Sequence, residues 1–213
     1  MCTLVETSDV SILIDPGVAI MHPSFPASME KKIDWLNTAE LAIKEASVKA
    51  EIVVISHYHY DHFTDFDKAL YNGKLVLAKS PNQYINDSQR KRAESFYGNL
   101  YEAFGRVKLD DLLEDKEKRN YPDPLEEIPI ASSKEYGDYA PRKRELLGKG
   151  REWFESRVKN WNSSKLIPEA KFEGCEVKFP DGKELKIGDT NLKLTGPLFH
   201  GIEFARMGWV IAT

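Results

Sequence analysis

Between positions 51 and 55 the chain reads Glu-Ile-Val-Val-Ile, an apolar β-branched run without alternation, the pattern of a central parallel strand covered on both faces. Residues 3–6 and 10–14 read as two strands around a polar turn at Thr7-Ser8-Asp9, which predicts an opening hairpin. From Ser28 to about Ala50, Ile33, Leu36, Ala39, Ile43 and Ala46 recur at intervals of three and four. An amphipathic helix is therefore expected to lead into the central strand as a crossover unit. A helix over about 64–71 and a strand over 74–78 should follow. Ala93, Phe96 or Tyr97, Leu100 and Phe104 mark a later helix stopped by Gly105, and Leu147, Phe154, Val158 and Trp161 mark another opened by Pro141. The chain then returns to strands. Residues 175–179 and 184–187 flank Pro180-Asp181-Gly182-Lys183 as an expected hairpin, 191–195 follows, and 207–212 reads as one more strand.

Composition narrows the class. In 213 residues, 41% are hydrophobic and 30% charged, a globular composition for one domain or one domain with a large insertion. No apolar run approaches the roughly 20 residues that span a bilayer. The first residues lack the pattern of a secretory signal, so a cytoplasmic location with no membrane partner is expected. Cys2 and Cys175 stand apart from any paired-cysteine motif and read as small buried thiols. High charge with only two Gln points to a heat-adapted source.

The chemistry is concentrated just after the central strand. Three of five histidines fall within six positions, as His57, His59 and His62 with Asp61, in the order H-x-H-x-D-H. A chance match in a chain of this composition is on the order of 2 in 10,000. In open α/β sheets chemistry gathers at the carboxyl ends of strands. On extended backbone His57 and His59 point the same way and offer two imidazoles to one metal. Asp61 and His62, where the chain turns, aim at a neighbouring position that suits a second metal. Asp15, in Asp15-Pro16-Gly17, reads equally as a turn carboxylate or as a group that orients a metal-bound histidine. His22, in a proline-punctuated loop, reads as a solvated side chain.

At these residues the sequence resembles the metallo-β-lactamase superfamily, whose signature is H-x-H-x-D-H after a buried strand. Ser11-Ile12-Leu13-Ile14-Asp15-Pro16-Gly17 resembles its first motif, and Leu194-Thr195-Gly196-Pro197-Leu198-Phe199-His200-Gly201 its third. The wording around the motifs is similar to an uncharacterised archaeal branch. The resemblance implies an α+β fold, an αββα sandwich, in which His57, His59 and His200 hold one metal and Asp61 and His62 part of a second. His62 and His200 are 138 positions apart, so 80–168 reads as an inserted, largely helical, charged cap region between 1–79 and 169–213 of the parent domain. The resemblance implies a further Asp and a further His for the second metal, and the thirteen residues after His200 contain neither, so an incomplete second site is expected. The remaining ligands would come from a longer polypeptide, which the look of 209–213 favours, or from another chain, for example in a homo-oligomer. Otherwise the protein has a single-metal or non-catalytic role.

Three imidazoles and an open fourth position make a zinc-bound water acidic. The resemblance thus implies a hydrolase using a metal-bound hydroxide on a small ester, lactone, thioester or related compound, with Asp61 catalytic as orienter or proton acceptor. Zinc is the expected metal, with iron and manganese as alternatives. A metal-dependent nuclease or phosphodiesterase is the alternative reading, and an interaction protein with an incomplete metal site the third. The net charge of −4 favours a small-molecule substrate over nucleic acid. Residues 142–159 carry seven basic and three acidic side chains, which makes Arg142, Lys143, Arg144 and Arg151 candidates to meet an anionic substrate. Arg90, Lys91 and Arg92 could serve likewise.

Overall fold

The computed structural model describes residues 2–126, 129, 133–135, 137–199, 207–208 and 211–212. Its centre is a six-stranded sheet. In chain order the strands are β1 (Thr3–Glu6), β2 (Ser11–Ile14), β3 (Ile52–Ile55), β4 (Lys74–Ala78), β5 (Ala170–Phe172) and β6 (Cys175–Lys178), arranged β1-β2-β3-β4-β6-β5. β2, β3, β4 and β6 run parallel, and the antiparallel β1 and β5 close the two edges. All four residues of β3 are buried, as its unbroken apolar run requires.

Side-chain alternation divides the core in two. Val53, Ile55, Val76, Ala78, Cys175 and Val177 face a cluster that also contains Phe96, Tyr97, Leu100, Phe154 and Trp161. Ile12, Ile52, Val54 and Leu77 face the other way, onto Leu192 and Leu194. The first face is covered by helices α1 (Met29–Lys49), α2 (Lys68–Tyr71), α3 (Asp87–Gly105), α4 (Leu109–Leu112) and α5 (Ala140–Ser163). The second is covered by a sheet of β7 (Glu184–Ile187), β8 (Thr190–Leu194) and β11 (Ile211–Ala212). Helix layer, sheet and second sheet are three layers of the expected sandwich. α3 and the second half of α5, within the stretch expected to form a cap, pack directly into the helix-side core.

Several expected elements take a different form. The turn at Pro180–Lys183 is made, with Lys183 N donating to Pro180 O at 3.1 Å, but its flanking strands do not pair. Both edges of β6 are already occupied by β4 and β5, so the chain crosses here from one sheet to the other. The hairpin partner of β7 is β8. The helix expected over 64–71 is confined to Lys68–Tyr71, because Asp65 and Asp67 take the amides of Phe66 and Ala69 with their own carboxylates. α3 ends at Gly105, but the left-handed capping residue is Arg106; Gly105 instead admits the Phe172 ring, which lies 2.4 Å from where a Cβ would sit. The strand expected over 207–212 is two short pieces: β10 (Met207–Gly208) pairs with β9 (Leu198–Phe199), and β11 with β8.

The helix-side core is dense in aromatic rings. Phe96 is fully buried and contacts Phe63, Phe66, Tyr71 and Tyr97 with ring centroids 5.0–6.5 Å apart. Phe96→Ala is expected to destabilise the chain by about 3–5 kcal/mol, read as a lowered midpoint in urea denaturation.

Candidate metal centre

Three neighbouring parallel strands end at one edge, and the residues that follow them build the site. β2 delivers Asp15, β3 delivers Ser56 and the histidine loop, and β4 delivers Lys79 and Ser80. Asp15 continues the ladder through N–H to Val54 O at 2.8 Å, then adopts a left-handed backbone with φ of 51°. That turn aims its carboxylate across the strand ends at the loop. Gly17 lies directly beneath the loop, where a Cβ would fall 2.2 Å from Phe63 N and 2.5 Å from His62 N, so no larger residue fits without moving backbone.

The loop sorts its side chains by chemistry. Tyr58 and Phe63 are fully buried in the core, while the polar positions between them face outwards. Tyr58 is held through its hydroxyl, which donates to Lys79 O at 2.5 Å and lies 2.8 Å from the Tyr97 hydroxyl. Its backbone is held by α3: Tyr58 N donates to Gln89 Oε1 at 3.1 Å and Arg92 Nη1 donates to Tyr58 O at 3.1 Å. The Arg92 guanidinium also lies over the Tyr60 ring. His62 N and Phe63 N both donate to His59 O, which folds the second half of the motif back.

Two pairs of metal-type donors result. His57 Nε2 lies 3.1 Å from His59 Nδ1, and His62 Nε2 lies 3.3 Å from Asp61 Oδ2. These are hydrogen-bond and ion-pair distances, and they are close to the roughly 3.3 Å between two ligands of one tetrahedral zinc at about 2.0–2.2 Å. Among the described residues no group of three or more His, Cys, Asp or Glu converges on one point. His200, expected as the third donor to the first pair, lies outside the described residues.

The hydrogen-bond network assigns the ring tautomers. Asp15 Oδ2 accepts from Ser56 Oγ at 2.7 Å and from His62 Nδ1 at 2.8 Å, while Asp15 Oδ1 accepts from Ser56 N at 2.7 Å. A carboxylate only accepts, so the Ser56 hydroxyl proton points to Asp15 and its lone pair must receive His57 Nδ1–H, 3.1 Å away. Both His57 and His62 therefore carry a proton on Nδ1, which turns the Nε2 side of each ring outwards. Asp15 sets one directly and the other through Ser56. Burial first, and then the His62 and His59 rings, hold the His57 imidazolium down to about 4 from the ordinary 6.5. Burial and the Arg92 charge likewise lower His59. Neutral rings are the ligand form.

Asp15 is a turn residue whose carboxylate accepts hydrogen bonds from His62 and from Ser56. Ser56 and Gln89 were not marked by the sequence, since neither belongs to the spaced motif and their roles depend on contacts across strands. The basic residues of α5 are met close by: Arg142 pairs with Glu145, Arg144 with Glu135 and Arg151 with Asp123. Buried Lys143 donates to Lys134 O. His22 forms a local contact with Ser24.

Comparison with known proteins places these residues in a family. The family described as the Metallo-beta-lactamase superfamily matches residues 1–201. A UPF0282 protein of Methanopyrus kandleri is 29% identical over 99% of this chain and 53% of its own length. UPF0282 proteins of Pyrococcus horikoshii and Pyrococcus abyssi are 40% and 45% identical over 52% and 48% of this chain, or 40% and 37% of theirs. The chain spans about half the length of the curated relatives it matches, or less. No solved structure gives a significant match.

Ser56→Ala should weaken metal binding about 10–100-fold, as loss of a supporting hydrogen bond does, while Ser56→Thr restores it; titration with Co2+, followed by its visible absorption, reads both. Equal affinities for all three chains would show that the hydroxyl does not set the ring. A second expectation concerns acid. Between its unfolded value near 6.5 and its folded value of about 4, His57 binds fewer protons in the folded chain than in the unfolded one. Metal-free stability should therefore be greatest above that window and fall as pH drops through it. Urea midpoints across the window, compared with those of His57→Gln, should show the variant losing part of this slope.

Proposed function

Because the chain belongs to the metallo-beta-lactamase superfamily, we propose that it forms the metal-binding part of a metal-dependent hydrolase acting on a small ester, lactone, thioester or related carbonyl compound. The observation that carries this reading is the pair of donor sets, His57 with His59 and Asp61 with His62, oriented from behind by Asp15. His200 is the proposed third ligand to the first pair. A nitrogen and oxygen donor set suits zinc, with iron or manganese as alternatives. Bound there, the metal supplies Lewis acidity that lowers the pKa of a water and polarises a carbonyl.

The chain's own groups supply the rest. Asp15 and Ser56 hold the His62 and His57 rings by Nδ1, so that Nε2 of each is left for a metal. The Asp61 side chain is half exposed at the rim, which suits it to take a proton from water. A cavity of about 420 Å3 has Asp61 in its wall together with Cys2, Val18, Ala39, Ile43 and Ala46. Its size and apolar lining favour the acyl or alkyl part of a small substrate over a polymer. The acidic net charge and the locally paired arginines of α5 point the same way.

Zinc-loaded chain, completed by whatever partner or additional length it requires, is expected to hydrolyse a chromogenic ester or thiolactone with little dependence on salt. His57→Ala and His59→Ala should each lower metal affinity by roughly 100-fold or more, beyond the cost of losing a mere supporting partner. Metal content by elemental mass spectrometry checks the second point without an activity assay. Metal retained in both variants would refute the centre. Nucleic-acid binding that falls steeply with salt, with no esterase activity, would favour the phosphodiesterase reading.

A further inference from the structure

The loop that follows β4, residues 80–83, is gripped by cations on several sides. Lys79 Nζ donates to Gln83 O at 3.0 Å, Arg90 Nη1 to Pro81 O and Asn82 Oδ1 at 2.9 Å, Lys116 Nζ to Asn82 O at 3.1 Å, and Arg119 Nη1 to Gln83 Oε1 at 3.2 Å. Two of the four have a negative group to answer them. Arg90 pairs with Glu94 at 2.8 Å, and buried Lys79 feels the charge of Asp181. Lys116 and Arg119 do not. Among the described residues no carboxylate stands in ion-pair contact with either, although Asp115 and Glu117 share their segment.

Lys116 and Arg119 line a cavity of about 330 Å3, with Lys118, Asp115 and Glu117 of the same segment and the polar side chains of Asn82, Gln83 and Asn162 also on its wall. A loop clamp alone does not account for this arrangement. An ammonium has three donors and a guanidinium five, and the bonds to the loop use one of each. The Arg119 backbone is fixed as well: its N–H donates to Asn162 Oδ1 and its carbonyl accepts from Asn162 Nδ2, both at 3.0 Å. Its guanidinium therefore springs from an anchored root, which lowers the entropy lost on binding. Burial, followed by the charges of Arg90 and Arg119, pushes the Lys116 ammonium down to about 8. Cations outnumber carboxylates on this wall by three to two, and among the described residues neither Lys116 nor Arg119 is held in an ion pair, so both keep N–H donors free to face the cavity and its amide side chains.

We propose that this cavity binds the phosphate group of a small molecule, with Lys116 and Arg119 as its charged contacts and the amides of Gln83 and Asn162 beside them. The spare N–H donors of one ammonium and one guanidinium suit the three acceptor oxygens of a phosphate monoester better than the two of a carboxylate. The position is also suited to a ligand. It lies at the carboxyl edge of the parallel strands, one strand over from the histidine loop, and the first turns of α3 serve both places, Arg90 at this loop and Gln89 and Arg92 at Tyr58. The site is separate from the metal centre and does not depend on the hydrolase reading.

Isothermal titration calorimetry of the full chain with inorganic phosphate, with acetate as comparator at matched ionic strength, tests the proposal. Saturable binding of one phosphate, much stronger than acetate, is expected. Lys116→Ala and Arg119→Gln should each weaken it roughly tenfold or more, while His57→Ala leaves it unchanged. Arg119→Gln alters only an exposed side chain, so it keeps the test valid if Lys116→Ala folds poorly. Binding lost in His57→Ala but kept in the other two variants would assign phosphate to the metal centre and overturn the proposal. So would equal responses to phosphate and acetate, or no saturable binding tighter than about 1 mM.

Discussion

The contact on which the site depends is between the carboxylate of Asp15 and the first residues after β3. Three hydrogen bonds of 2.7–2.8 Å tie it to Ser56 N, Ser56 Oγ and His62 Nδ1. Thr64 Oγ1 also ties the histidine loop to the segment after β2, donating to Pro16 O at 2.5 Å, but it is the Asp15 bonds that reach the imidazoles. The left-handed turn at Asp15 is a modest conformational cost, and it brings the carboxylate to bear on the neighbouring strand. The absent side chain at Gly17 completes the contact by letting the loop backbone settle onto the turn. Asp, Pro and Gly in sequence therefore act together as a bracket for the histidines.

Rigidity reaches the loop from below as well. Along His57-Tyr58-His59-Tyr60-Asp61-His62-Phe63, the two fully buried rings, Tyr58 and Phe63, sit among Phe96, Tyr97 and the strand side chains, and the metal-type donors sit on the opposite side. The buried Tyr58 hydroxyl has partners in Lys79 O and Tyr97, so it carries no uncompensated polar atom into the core. The motif is thus a segment of core whose other surface is chemical. A substitution in the aromatic layer should be felt by the donors above it, even though it touches none of them.

The sequence made legible those features that depend on local period. The buried run of β3, the opening hairpin, α1, α3 and α5 follow from spacing, and the donor loop follows from scarce residues in a fixed order. Pairing across the chain was not legible in the same way. The Asp-Gly turn at Asp181–Gly182 forms, but whether its strands pair depends on which edges β4 and β5 have already filled, and that is settled some hundred residues earlier along the chain for β4. Ser56 carries no signal in the sequence, because a serine beside a histidine gains its role only when Asp15, 41 positions away, is brought to it. His200, which the motif order pairs with the loop, lies outside the described residues.

Charge shows the same limit most sharply. Counted along the chain, the strongest basic block is 142–159, yet in space its arginines meet Glu135, Glu145 and Asp123 and their fields largely cancel at a distance. The segment 110–127 counts as acidic, with eight acidic and three basic residues. Two of those three, Lys116 and Arg119, nevertheless stand without an ion-pair partner among the described residues, beside Arg90 of α3. A local field is set by which charges remain unanswered within a Debye length of about 8–10 Å, not by which sign is commoner in a window of sequence. The acidic segment therefore contributes positive charge at the loop after β4, and it does so because folding sets Lys116 and Arg119 against that loop.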